Sequence, residues 1–211
     1  MTFTEIAQIT EGEILESLDP NDKILTLITD SRKPFVPKGA LFFAIPGVRH
    51  DGHHYVHELF KKGARNFVVT DKVCLPGANV LKVDNVIKAL QVIARKHREN
   101  YTLPVVGITG SNGKTIVKEW LSSCLAPHEK IVKSPHSFNS QVGVPLSVWN
   151  ISPLHSLGIF EAGISTTGEM GLLAEIIQPT IGIFTNLGTA HDEGFSSLEE
   201  KFNEKAKLFA Y

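Results

Sequence analysis

Cysteine is almost absent from this chain. Cys74 and Cys124 are the only two in 211 residues, and they lie far apart. They give neither a disulfide framework nor a zinc-ligand pattern, and such usage suits a reducing, cytoplasmic setting. An excess of one charge is also lacking. There are 21 Lys and Arg against 22 Asp and Glu, a formal net charge of −1. No global field therefore draws the chain to nucleic acid or to a membrane surface, and no nucleic-acid partner is expected. No apolar run approaches the ~20 residues of a membrane span. Met1-Thr2-Phe3-Thr4-Glu5 has no basic segment followed by an apolar run, so no signal peptide is expected. What remains is an ordinary globular composition, 42% hydrophobic and 20% charged, long enough for one large or two small domains.

Along the chain, strands and helices alternate. Residues 2–9 read as a short amphipathic helix with Thr2 or Thr4 as its cap and Phe3, Ile6 and Ile9 on one face. Strands are expected at 24–29, 41–45, 67–70 and 80–83, with helices at 55–62 and 85–97. Residues 48–54 read as a polar loop, and Gly63 as a helix C-cap. Asn100-Tyr101-Thr102-Leu103-Pro104 reads as a linker, so a small α/β domain over 1–101 and a second domain over 104–211 are expected. In the second, strands are expected at 105–109, near 130–132, at 157–160 and at 181–185. Helices are expected at 114–125, 142–149, 168–177 and 197–209. Pro145 falls in the first turn of its helix, where a missing N–H costs little. The chain ends directly after a helix with only part of a sheet written, so a truncated domain is expected.

One stretch organises the second domain. Val105-Val106-Gly107-Ile108-Thr109 is an apolar, β-branched run that feeds Gly110-Ser111-Asn112-Gly113-Lys114-Thr115 at the head of a helical pattern. This is a candidate phosphate-binding loop, although it departs from the strict G-x-x-x-x-G-K-[ST] spacing. Backbone N–H groups of Gly110, Ser111, Asn112 and Gly113 can wrap a polyphosphate, and the helix N-terminus adds partial positive charge. Lys114 would sit on the outer phosphates and the Thr115 hydroxyl on Mg2+. The plainer reading is a Gly-rich turn with a solvated lysine. Strands ending in polar residues matter further, because ligands sit at the carboxyl ends of parallel strands. The loop, Glu161 and the Asn186–His191 segment all fall at such ends.

Several segments together resemble the Mur ligase family. Thr109 to Thr115 is similar to that family's phosphate loop, and Asn139-Ser140-Gln141-Val142-Gly143-Val144-Pro145 to its Asn-containing segment. Glu161-Ala162-Gly163-Ile164-Ser165 with Gly168-Glu169 resembles the Glu-x-Gly segment, and Asn186 to Phe195 the Asn…Ala-His…Gly-Phe segment. Lys205, four residues before Phe209, falls where the family carries a carbamylated lysine. Upstream, Thr29-Asp30-Ser31-Arg32 and Lys38 to Ala44 resemble the uridine-nucleotide domain. The resemblance runs through nearly the whole chain. Ala162, Ile164 and Ser165 depart from the family pattern, and a third, C-terminal ligase domain is missing.

The resemblance implies an α/β fold: a small N-terminal UDP-binding domain and a mostly parallel, truncated P-loop domain that binds ATP. It implies an ATP-dependent amide-bond ligase. The carboxylate of UDP-N-acetylmuramoyl-tripeptide becomes an acyl phosphate, and the amine of D-alanyl-D-alanine displaces the phosphate. Such chemistry needs charge neutralisation and positioning more than a protein nucleophile. Lys114 would neutralise the outer phosphates. Thr115 and Glu161 would hold one Mg2+, and His191 with carbamylated Lys205 a second. Ser31 and Arg32 would hold UDP, and Asn139 substrate or nucleotide.

Each residue also has a plainer role: a solvated strand-end acid for Glu161, a loop residue for His191, a solvated helix face for Lys205, an Asx turn for Asn139 and a turn cap for Ser31 and Arg32. His50, Asp51, His53 and His54 match no zinc spacing and read as a surface loop beside the UDP site. Two other readings stand. One is a different P-loop kinase or NTPase. The other is a non-catalytic nucleotide- or UDP-sugar-binding scaffold, as in a fusion to an alanine racemase. Either way the chain alone is expected to be inactive.

Overall fold

The helix at the start of the chain is set by its first turn. Thr2 Oγ1 accepts from the Glu5 N–H at 3.2 Å, and the Glu5 carboxylate accepts from the Thr2 N–H at 2.7 Å, a reciprocal capping box that opens α1, Phe3–Thr10. The computed structural model describes residues 1–32, 36–47, 50–188 and 194–210. They fall into two compact units, Met1–Ile93 and Ala94–Tyr211.

The first unit is built on a five-stranded sheet. Its strands are β1 (Glu13–Glu16), β2 (Thr26–Ile28), β3 (Ala40–Phe43), β4 (Asn66–Val69) and β5 (Asn79–Lys82), in the order β1-β5-β4-β3-β2. The last four pair in parallel, with Leu27 opposite Leu41, Phe42 opposite Phe67 and Phe67 opposite Val80. Helices α2 (Val56–Lys61) and α3 (Val86–Arg98) complete the alternation. One core layer gathers Ile28, Phe42, Phe67, Val69 and Val80 with Val56 and Leu59 of α2. Alternation sends Leu41, Phe43, Val68 and Leu81, equally buried, to the opposite face.

Three features of this unit depart from the sequence expectation. Strand β1 was not anticipated, because Glu-Ile-Leu-Glu holds only two apolar residues between charges. It is an edge strand, antiparallel to β5, with Glu13 opposite Lys82, and charge is usual at an edge. Within the polar loop, Gly52–Tyr55 is a 3-10 helix, opened by an Asp51 side chain that accepts from the His53 N–H. The expected linker is packed. Tyr101 and Leu103 lie against the core of the second unit, and Arg98 donates to the carbonyls of Tyr101, Leu103, Ile177 and Gln178. The division between units falls inside α3.

The second unit carries β6 (Val105–Thr109), β7 (Ile131–Lys133), β8 (Leu157–Glu161) and β9 (Ile181–Phe184). They form an all-parallel sheet in the order β7-β8-β6-β9. Helices α4 (Lys114–Leu125), α5 (Gly143–Val148), α6 (Glu169–Ile177) and α7 (Leu198–Ala206) flank it. The last helix ends in a 3-10 turn at Lys207–Phe209 rather than running on as α-helix. Period-two alternation sorts the core. Val106, Ile108, Leu157 and Ile159 pack with Val117, Leu121 and Leu125 of α4. Val105, Phe160 and Ala162 face Val144 and Val148 of α5 and Met170 and Leu173 of α6. All of β6 and β8 is buried, so both strands deliver their C-terminal residues to one end of the sheet.

Candidate functional site

Strand β6 runs to Thr109, and the chain then turns sharply. Gly110 has φ 139° and Gly113 has φ 81°, conformations that favour glycine. Gly113 caps α4, so Lys114 and Thr115 occupy its first turn. The loop is clamped by the segment after β9. Ser111 N–H donates to the Asn186 carbonyl at 2.9 Å, and Asn112 N–H to Asn186 Oδ1 at 3.0 Å. Ser111 Oγ exchanges hydrogen bonds with the Gly188 backbone, and Thr185 Oγ1 donates to the Asn112 carbonyl at 2.6 Å. The Asn186–Gly188 segment therefore builds the loop, a role that the sequence did not reveal.

Lys114 folds back over the loop, with Nζ donating to the Gly110 carbonyl at 2.8 Å and the Ser111 carbonyl at 3.4 Å. Burial lowers its pKa, and the negative charge of Glu161 opposes that shift. Thr115 Oγ1 donates to Glu161 Oε2 at 3.0 Å, and Asn139 Nδ2 to the same oxygen at 3.4 Å. Glu161 is wholly buried at the end of β8. Thr115, Asn139 and Glu161, separated in sequence, thus converge on one point. Lys114 and Asn139 also line a cavity of about 300 Å³ with Ser140, Gln141, Ile164 and Glu169.

A magnesium ion fits this donor set. It prefers hard oxygens, and neighbouring oxygens around an octahedral ion lie about 3 Å apart when each bond is about 2.1 Å. Thr115 Oγ1 and Glu161 Oε2 are hard oxygens of that kind, here hydrogen-bonded to each other at 3.0 Å.

Lys205 reaches the loop from α7. It is 1% exposed, and its Nζ lies 3.4 Å from the Gly110 carbonyl that Lys114 also contacts. Burial, followed by repulsion from Lys114 and Lys201, lowers its pKa to about 8. The plainer reading of Lys205 as part of a solvated face is thereby excluded. Lys201, equally buried, donates to the Gly188 carbonyl at 2.6 Å. His191 lies outside the described residues.

Ser31 and Arg32 belong to the first unit, just past the carboxyl end of β2. Arg32 is exposed and makes a bidentate pair with Asp30, Nε to Oδ1 at 2.8 Å and a terminal nitrogen to Oδ2 at 2.7 Å. In the histidine-rich loop, His53 Nδ1 lies 2.6 Å from Asp51 Oδ1. Its Nε2 accepts from the Thr70 N–H at 3.0 Å, fastening the loop to the end of β4.

Sequence reasoning missed Lys118. It is wholly buried, with Nζ 3.0 Å from Glu161 Oε1 and 2.8 Å from the Ser134 carbonyl. The available signal was its i,i+4 spacing from Lys114, which puts both lysines on one face of α4.

Comparisons with known proteins place the chain in a family. Residues 27–108 match the Mur ligase family catalytic domain, and residues 108–211 match the Mur ligase middle domain. UDP-N-acetylmuramoyl-tripeptide--D-alanyl-D-alanine ligase of Synechocystis sp. is 34% identical over 192 residues, 90% of this chain and 41% of the relative. The Bacillus subtilis protein of the same name is 30% identical over 94% of this chain and 43% of its own length. A crystal structure of MurF from Acinetobacter baumannii superposes with a TM-score of 0.90 at 28% identity, over 99% of this chain and 46% of that one. MurF ligase from Thermotoga maritima in complex with ADP gives 0.78 at 29% identity, over 88% and 43%. The chain thus spans less than half the length of these relatives. With both of its units matched in order, the chain belongs to the Mur ligase family.

Proposed function

We propose that this chain supplies the UDP-binding and ATP-binding parts of an ATP-dependent ligase that joins D-alanyl-D-alanine to UDP-N-acetylmuramoyl-tripeptide. The observation that carries the reading is the convergence of Lys114, Thr115, Asn139 and Glu161 at the end of a parallel sheet. The names of the relatives supply the substrates. Those names are of ligases, which supports a catalytic part over a scaffold fused to an alanine racemase. They also favour it over an unrelated P-loop NTPase. The setting proposed is the cytoplasm, where ATP is made available; no helix among the described residues is long and apolar enough to cross a membrane.

In this reading the loop amides hold the ATP phosphates, and Lys114 swings from the Gly110 carbonyl to the β and γ oxygens. A peptide carboxylate oxygen attacks the γ-phosphorus as the bond to ADP breaks, giving an acyl phosphate. The amine nitrogen of D-alanyl-D-alanine then attacks the acyl carbon, phosphate leaves, and the nitrogen loses a proton. Thr115 and Glu161 would hold Mg2+, which neutralises phosphate charge when bound. His191 and a carbamylated Lys205 would hold a second ion. A carbamate forms only on a neutral amine, and the lowered pKa of Lys205 supplies that form. Asn139 orients Glu161 or the incoming substrate, and Ser31 and Arg32 hold the UDP phosphates. The relatives are more than twice as long as the part matched here, and the matched part alone is not expected to complete the reaction.

Calorimetric titration with Mg·ATP tests the ATP half of the proposal. Binding is expected in the wild-type chain and is lost in Lys114→Met, with the fold intact by circular dichroism. Unchanged binding in the variant would overturn the role given to the loop.

A further inference from the structure

Lys118 has no role in the chemistry above, yet it is placed as closely against Glu161 as any residue of the site. Both side chains are fully buried, 0% exposed. A buried ion pair is retained at a cost in desolvation and is poor evidence of stability alone. Its geometry here is specific. Lys118 Nζ lies 3.0 Å from Glu161 Oε1, donates to the Ser134 carbonyl at 2.8 Å and to the His136 carbonyl, and lies 3.2 Å from Glu119 Oε1. Oε1 accepts no hydrogen bond within the described residues, so the ammonium is its charge partner. The other oxygen, Oε2, faces Thr115 and Asn139.

The two oxygens of Glu161 are therefore divided between two tasks. We propose that Lys118 is a positioning residue that holds Oε1, so that Glu161 presents Oε2 alone to a magnesium-nucleotide complex, as a one-oxygen ligand beside Thr115. The same ammonium anchors Ser134 and His136, the start of the loop that carries Asn139. His136 has φ 47°, a left-handed conformation uncommon outside glycine, and its carbonyl is aimed at Lys118. One cation thus fixes both the carboxylate and the strand-to-helix loop that surround the metal position. Arginine would not replace it, since a wider guanidinium fork does not fit a fully packed site.

The inference rests on the nucleotide site proposed above, and its test separates the two. The affinity of the chain for ADP is measured by calorimetry with and without Mg2+, and the ratio of the two affinities reports how far the metal contributes. The variants are Lys118→Met, Lys118→Gln, Glu161→Gln and the double variant Lys118→Met/Glu161→Gln. Glutamine keeps a donor for the loop carbonyls without the charge, which provides a folded variant if Met proves disruptive. Loss of a residue behind a metal ligand costs about tenfold to a hundredfold in metal affinity. The ratio is expected to fall in that range for Lys118→Met and Lys118→Gln, while ADP binding without Mg2+ stays within about twofold. In the Glu161→Gln background, the Lys118 change is expected to have no further effect on the ratio, because Lys118 acts through Glu161. Equal losses of ADP affinity with and without Mg2+, or additive effects in the double variant, would overturn the proposal and leave Lys118 as a fold residue. Absence of any Mg2+ effect on ADP binding in the wild-type chain would instead overturn the nucleotide reading beneath it.

Discussion

Gly110 and Thr185 are packed so closely that no side chain fits between them: a Cβ on Gly110 would lie 2.0 Å from Thr185 Oγ1. The adjoining Asn186 backbone N and O would be 3.1 Å away. Gly110 is thus where the turn after β6 meets the segment after β9, and its φ of 139° adds a backbone penalty for any other residue. Gly113 differs, because the nearest atom to its Cβ would be 4.0 Å away and only its φ of 81° resists substitution.

The pair makes a graded prediction. Gly110→Ala should destabilise the chain by roughly 2–4 kcal/mol and abolish ATP binding, through clash and strain together. Gly113→Ala should cost only about 1–2 kcal/mol, the backbone part alone. Urea denaturation of both variants checks the order, which a similar loss in each would contradict.

Lys205 gives the pH dependence. Its pKa in the fold is about 8, against about 10.4 for lysine in an unfolded chain. Between these values the unfolded chain holds a proton that the folded chain has lost, so folding becomes more favourable as pH rises. Below pH 8 both states are protonated and the fold bears the full cost of a buried charge. Lys205→Met should therefore flatten the stability profile between about pH 8 and 10. In 13C-bicarbonate, a carbamate resonance should grow with a midpoint near 8 and vanish in Lys205→Arg. A midpoint at the ordinary lysine value would refute the shift.

How much of this was legible beforehand depended on how local each signal was. The β-branched run 105–109 followed by Gly-rich residues and Lys-Thr announced strand, loop and helix by chain chemistry alone. Residues 157–161 did the same for β8, whose end places Glu161. What escaped depends on tertiary partners. Lys118 reads as one more helix cation until Glu161 and the Ser134 carbonyl are brought to it. Glu13–Glu16 becomes a strand only because β5 offers an edge. Residues 100–104 resemble a linker because proline and asparagine mark one, whereas Arg98 and the apolar bodies of Tyr101 and Leu103 tie them to the core.

Arg98 makes that last point testable. Its buried guanidinium satisfies four carbonyls, on Tyr101, Leu103, Ile177 and Gln178. Arg98→Met keeps much of the apolar bulk but strands those acceptors, so a loss of about 3 kcal/mol is expected, read as a lower urea midpoint. A change below about 0.5 kcal/mol would mean that 100–104 is held by other contacts.

Arg32 should behave in the opposite way. Its side chain is 88% exposed and, among the described residues, pairs locally with Asp30, so Arg32→Ala should leave the urea midpoint within about 0.5 kcal/mol of the wild type. Its effect should be confined to ligand binding, where loss of the proposed contact to a UDP phosphate should weaken affinity by about tenfold.

That difference defines the most direct measurement of the central claim: calorimetric titration of the chain with UDP-N-acetylmuramoyl-tripeptide, with UDP alone and Arg32→Ala alongside. Binding is expected to be tighter for the tripeptide conjugate than for UDP, and weaker in the variant. No binding of either uridine compound, in a chain that still binds Mg·ATP through Lys114, would contradict it and leave a P-loop protein of another activity.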